Sequence, residues 1–429
     1  MKKFSSSLLQ QHKQNFFLYH NFTNKYQTET NTSTTKLKFL EFSSKIFPTQ
    51  KLLFQIGNSY LKGIGVQKDL KKGFEYLKQS CEKGNLESMK IVADCYFNGI
   101  GVSKDLKEAF NLFLKLSDKG NIKASSIIGK YYYYGWNDEI NFEMARKFFI
   151  KATNQDNKED LDGIYHLALI YIHGLHGDIN MKTGIEYLEF GASKDHPECL
   201  YMIGDLCIKG EYYDKDIKKG IAYFEKASKF GNLKSQIYLS KHYKSDDNKF
   251  HYLELAAKQG DVESQYILGS SYIKGIGVRQ NIQKGFQFFK LAADQGHIIS
   301  QANVGMFLRK SIGCSENLEE SNKYFEKASN QGDIVSMFEV GMNHYFGRGV
   351  EKNLKKAFEC FLKASEKANN HMYDYNVGLC YFNGYGVEKN LPKAFEFFSK
   401  SASKGNENSK KFMDLICKEI EKSGGIEKF

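Results

Sequence analysis

A single pattern returns about every 36 residues from Lys51 onward, and this periodicity restricts the chain to a stack of like units. In each copy an aliphatic residue precedes a small one. A tyrosine or its substitute follows three residues later, then a glycine turn and a second helical stretch that usually ends in glycine. The small residue is in turn Gly57, Ala93, Gly129, Ala168, Gly204, Ser240, Gly269, Gly305, Gly341 and Gly378, which makes ten copies. The aliphatic residue and the tyrosine four positions on, as in Ile56 and Tyr60 or Leu268 and Tyr272, share one face of a helix. A glycine inside a helix costs about 1 kcal/mol relative to alanine, so its recurrence predicts that a neighbouring helix passes close by.

The connector reads Gly63-Ile-Gly65-Val66 in the first copy and Gly275-Ile-Gly277-Val278 in the seventh. Gly-x-Gly suggests a phosphate-binding loop where a strand precedes it. Here it joins two helices and recurs as a connector, so it reads as a left-handed helix end with a valine plugging the gap behind it. The second helix carries a large apolar residue in every copy: Leu77, Phe113, Phe149, Leu188, Phe224, Leu253, Phe289, Phe325, Phe361 and Phe398. Alanines such as Ala292 follow three residues later, a large-small alternation that lets helices interlock.

The formal net charge of +11 is unevenly spread: residues 1–50 hold about +5, and no Arg/Lys stripe with interleaved aromatics follows, so nucleic acid is not an expected partner. Eight cysteines are scattered without CxxC or regular pairing, which argues against a zinc site or a disulfide ladder and fits a reducing compartment, the cytoplasm. No apolar run approaches the length of a membrane span. Residues 1–28 contain four lysines and no acidic residue, the pattern of a transit peptide without its usual arginines; a disordered leader and a mitochondrial targeting segment are both expected readings.

The residues Leu268-Gly269-x-x-Tyr272-x-x-Gly275-x-Gly277-Val278 and Ala292-Ala293-x-x-Gly296 resemble the Sel1-like repeat, a longer relative of the tetratricopeptide repeat, and the resemblance covers about residues 51–409. It implies an all-α fold, a right-handed α/α superhelical solenoid of about ten helix-turn-helix repeats. On this reading 1–50 is a disordered or targeting leader, 51–409 the array, and 410–429 a C-terminal capping helix and tail. The family serves as adaptors in membrane-protein degradation, cell-wall synthesis, signalling and host–pathogen contact, so the resemblance implies a scaffold without naming its partner. A bacterial branch with regular cysteine pairs is linked to β-lactam binding, and this chain lacks those pairs. Three copies depart from the pattern. Copy three carries Gly135-Trp136-Asn137 in its turn, copy four is expected to hold an insertion around His173–Asp178, and copy six loses about seven residues around Asp246–Asn248.

No GxSxG, HExxH, Walker or kinase motif occurs, and the expectation is a non-catalytic protein without cofactor or metal. His166, His173 and His176 with Asp178 form the one local group of metal-ligand residue types and carry the alternative of a hydrolase or metal-dependent enzyme. Binding is expected on the first helix of each copy. At 100° per residue, the second and sixth positions after the aliphatic residue lie about 200° and 240° away from it. These positions are polar in the early copies and turn apolar late, as Met306/Lys310, Met342/Phe346 and Leu379/Asn383. With Lys274 at the border, Met306, Lys310, Met342, Phe346 and Leu379 are the candidate protein-binding residues, suited to an apolar peptide or amphipathic helix bearing some acidic residues. The capping helix, with Phe412, Leu415 and Ile416 on one face, competes for the same ground. The expected function is an adaptor binding partner proteins along the concave face, with a mitochondrial assembly or quality-control factor as the alternative.

Overall fold

Short polar side chains set where the helices begin. Asp333 Oδ2 accepts from the Ser336 N–H at 2.7 Å, Asn353 Oδ1 from the Lys356 N–H at 2.9 Å, and Asn85 Oδ1 from the Ser88 N–H at 2.8 Å. Each such cap satisfies one of the N–H groups that a helix start leaves open, an effect of about 1 kcal/mol. At the other end of the first helix a glycine takes the left-handed conformation: the N–H groups of Gly99 (φ 72°) and Ile100 both reach the Cys95 carbonyl, at 2.8 and 3.0 Å.

The computed structural model describes residues 33–136, 139–153 and 160–422, and every regular element among them is a helix. Helix α1 (Ser33–Ile46) precedes ten pairs. The first five are α2 and α3 (Gln50–Lys62, Leu70–Glu82), α4 and α5 (Leu86–Asn98, Leu106–Asp118), α6 and α7 (Ile122–Tyr134, Phe142–Thr153), α8 and α9 (Leu161–His173, Met181–Ser193), and α10 and α11 (Pro197–Lys209, Ile217–Lys229). The others are α12 and α13 (Leu233–His242, Asp246–Lys258), α14 and α15 (Val262–Lys274, Ile282–Asp294), α16 and α17 (Ile298–Lys310, Leu318–Asn330), α18 and α19 (Ile334–Phe346, Leu354–Lys367), and α20 and α21 (His371–Asn383, Leu391–Ser403). Helix α22 (Glu407–Lys422) follows. The fold is an all-α solenoid of tandem helix-turn-helix repeats, and it divides into two compact units, residues 1–230 and 231–429.

Within each unit the recurring small residue does what its position predicts. A Cβ on Gly269 would lie 2.8 Å from Phe289 Cδ1, and one on Gly341 would lie 2.7 Å from Phe361 Cε1. The absent side chain lets the second helix's phenylalanine lie against the backbone of the first, and Phe149, Phe224, Phe325, Phe361 and Phe398 are fully buried in this way.

Both ends of the array differ from the expected boundaries. Part of the segment assigned to a leader is folded, because α1 stands where the second helix of a preceding copy would stand. A Cβ on Gly65 would meet the Ser33 carbonyl oxygen at 2.4 Å, just as one on Gly101 would meet the Leu70 carbonyl oxygen at 2.1 Å. Leu37 of α1 is buried with Ile56 and Tyr60, and the Tyr60 hydroxyl donates to Glu41 at 2.6 Å. The basic leader itself, residues 1–32, and the tail 423–429 lie outside the described residues. At the other end α22 begins at Glu407, and Asn406 Oδ1 accepts from the Ser409 N–H at 3.3 Å, the same cap that opens the first helix of the earlier copies.

The irregular copies are also clarified. The turn after α8 has the usual seven residues, so copy four holds no insertion there. The extra length lies between Thr153 and Leu161, where 154–159 are outside the described residues. Copy six loses its turn: α12 stops at His242 and α13 starts at Asp246.

Candidate functional site

The outward face of the first helices can be followed from copy to copy. A side chain five residues before the aliphatic position lies about 220° around from it, between the second and sixth positions after it. In the first seven copies this residue is charged: Lys51, Glu87, Lys123, Asp162, Glu198, Lys234 and Glu263. In the next three it is Ile299, Val335 and Met372, and these side chains are 44% to 53% exposed.

In the second unit these residues join the candidates named from the sequence. Met306, Met342 and Leu379 sit half-buried at the middle of α16, α18 and α20, with Met342 and Leu379 packed against the core around Phe361 and Val377. Ile299, Val335 and Met372 mark one end of the same helices and Phe346, 51% exposed, the other. Lys274 and Lys310 are exposed in the last turns of α14 and α16, where the helix dipole favours cations. Arg348 joins them, its guanidinium 4.4 Å from the Phe346 ring centroid. A two-pronged pair ties α16 to α18: Arg309 grips Glu339 through both nitrogens, with Nη2 to Oε1 at 3.0 Å, and both side chains are mostly buried. It fixes the spacing of Met306 and Met342.

Helix α22 and this row do not exclude each other. Phe412 stacks on Phe398 with centroids 5.0 Å apart and Ile416 is fully buried, so α22 packs as one more first helix. Leu415, half exposed, then occupies the place that Met306, Met342 and Leu379 hold in their copies.

In the first unit the histidines do something other than gather a metal. His166 is buried against Phe149, its ring 5.1 Å from that ring; Nδ1–H donates to the Asp162 carbonyl at 2.7 Å, and Nε2 accepts from the Tyr134 hydroxyl at 3.0 Å. Asp162 in turn receives Lys130 at 2.6 Å and His196 at 3.3 Å, and the His196 hydrogen bond, followed by Lys130, holds its carboxyl well below the usual range. His166 is thus committed to the core, away from His173 and His176. Among the described residues no three His, Cys, Asp or Glu side chains converge as a metal ion requires.

Burial lowers the His166 pKa from 6.5. The sign follows from linkage: below about pH 6.5 the unfolded chain takes up this proton before the folded one, so stability falls as pH drops from there to the folded-state value. Thermal melts of the first unit should therefore weaken between pH 7 and pH 5, and His166→Gln should flatten that slope. An unchanged slope would show that His166 does not carry the effect.

The comparisons bear on what these surfaces belong to. The Sel1 repeat family matches residues 52–85, 86–121, 123–157, 161–196, 197–232, 250–261, 262–297, 298–333, 334–369 and 373–406. Among solved structures, a protective antigen of uropathogenic Escherichia coli with an SLR fold is 22% identical, with 95% of this chain and 88% of that one covered, at a TM-score of 0.45. A Sel1 repeat protein from Oxalobacter formigenes is also 22% identical, covering 80% and 90%, at a TM-score of 0.35. Yeast Tom70 is 14% identical, covering 98% and 96%, at a TM-score of 0.28. No helix among the described residues is long and apolar enough to cross a membrane.

Proposed function

Because the chain belongs to the Sel1 repeat family, whose solenoid is a non-catalytic scaffold for contacts between proteins, we propose that it is an adaptor that holds an amphipathic helix across α16, α18, α20 and α22. The observation that carries this is the change at one helical position from charge in seven successive copies to Ile299, Val335 and Met372 in the next three. Exposed apolar side chains in a row have no stabilising role on the surface of a lone chain, whereas half-buried Met306 and Met342 offer adaptable contacts to a partner. Lys274, Lys310 and Arg348 along one edge favour a partner helix whose flank is acidic. All eight cysteines are unpaired, which supports a reducing compartment, the cytoplasm.

Affinity capture with the intact chain and with Phe346→Glu tests this. Phe346 is half exposed and outside the core, so the variant should melt like the parent. It should lose at least about tenfold in recovery of the partner, the scale of an interface anchor. Equal recovery by both forms would remove the row from the binding surface.

A further inference from the structure

The turns of the first unit divide into two chemically distinct sets. In the turns 63–69 and 99–105 the residue before the helix cap is Lys68 or Lys104, preceded by Gln67 or Ser103. In the next two turns the lysine becomes Ile140 and Ile179, and the residue before it becomes Glu139 and Asp178. The turn after those keeps the lysine, as Lys215, but adds Glu211 and Asp214, with Tyr212 where other turns have their second glycine. Tyr212 is held at φ 65°, a left-handed conformation costing about 1–2 kcal/mol for a residue with a side chain. Its ring stands 54% exposed, alongside Tyr134, Ile140 and Ile179 at 48% to 67%. Trp136 stacks on Tyr134 with centroids 5.2 Å apart and planes 18° from parallel.

We propose that this turn edge of copies three to five is a second docking surface, and that its occupant is a basic amphipathic segment of another protein. The apolar side chains supply anchors: the first two turns expose Ile64 and Ile100, but only in the next two does an exposed isoleucine, Ile140 or Ile179, stand where the lysine stood, with Tyr134 just before them in sequence and the exposed Tyr212 in the turn that follows. The charges select the occupant: Glu139, Asp178 and Asp214 stand where the first two turns have Gln67 and Ser103, and Glu211 where they have Ile64 and Ile100, so lysines or arginines flanking an apolar stripe find complementary partners. The surface is opposite in sign to the lysine-bordered row of the second unit, and the two would therefore hold different segments.

Trp136, the chain's one tryptophan, reports occupancy here and nowhere else. The full chain is titrated with a short Leu/Lys amphipathic peptide that lacks tryptophan, and separately with its Leu/Glu counterpart, while Trp136 emission is followed. The Leu/Lys peptide should give a saturable change that weakens with salt, and the Leu/Glu peptide none. Asp178→Lys combined with Glu211→Lys, both exposed positions, should weaken the response at least about tenfold, Ile179→Ser should weaken it too, and Phe346→Glu should leave it intact. An unchanged emission at saturating Leu/Lys peptide, an equal response to both peptides, or full binding by the charge-reversed chain would overturn the proposal.

Discussion

Gly349→Ala is expected to destabilise the second unit by about 2–5 kcal/mol, lowering its melting temperature by about 10 °C. Two costs combine. Gly349 is at φ 68°, where a side chain costs about 1–2 kcal/mol. A Cβ there would also lie 2.2 Å from both the carbonyl carbon and oxygen of Leu318, backbone atoms at the start of α17 that cannot swing aside, and overpacking of this kind costs about 1–3 kcal/mol. Gly332→Ala separates the terms: Gly332 has φ 97° with nothing within 4 Å of its Cβ position, so only the conformational cost applies. Equal melting of the two variants would show that the approach of turn to helix is looser than described. Because each copy touches only its neighbours, the loss should spread from copies eight and nine to the adjoining helices first, visible as early amide exchange there.

The second large effect is expected at Phe361. Its ring is fully buried against Gly341, and truncation to alanine removes a full aromatic's contacts, about 3–5 kcal/mol by denaturant unfolding. The geometry adds a sharper expectation. Gly341→Ala alone drives a methyl to 2.7 Å from Phe361 Cε1, whereas in a Phe361→Ala background the ring is gone, though Cys360 Cβ, at 3.1 Å, still crowds that methyl. The double variant should be more stable than the sum of its singles predicts, a coupling measurable by a double-mutant cycle. Additive losses would mean that Gly341 recurs for a reason other than this ring.

Much of this was legible because a repeat states its rules ten times. That a helix passes close to Gly341 follows from the recurrence of a small residue there, whereas the structure shows that the side chain filling the gap is Phe361. The polar caps were equally periodic, Asn85, Asn121, Asp261 and Asp333 each opening a first helix, yet they pass unnoticed when attention is on apolar spacing. Helix α1 had no such signal: it is a single element without its partner, and only the clash awaiting a Cβ on Gly65 reveals which role it fills. The row on the second unit was half legible. Met306, Met342 and Leu379 follow from counting forward along the helix, whereas Ile299, Val335 and Met372 lie seven residues earlier on the same face and emerge only when all copies are aligned. His166, grouped with His173 and His176 by residue type alone, is buried on α8, whereas those two are exposed at its end and in the turn that follows.

The family match begins at residue 52 and ends at 406, while folded helices run on beyond both limits. Anyone cutting the chain at those limits for expression would discard Leu37 and Glu41 and strip the cover from Ile56 and Tyr60. At the far end the cut would remove Phe412 and Ile416 and leave Phe398 facing water. A fragment faithful to the recognised motif would thus carry two raw hydrophobic ends and be prone to clump, and its behaviour would say little about the intact protein. The workable boundaries for dissection lie before Ser33 and after Lys422.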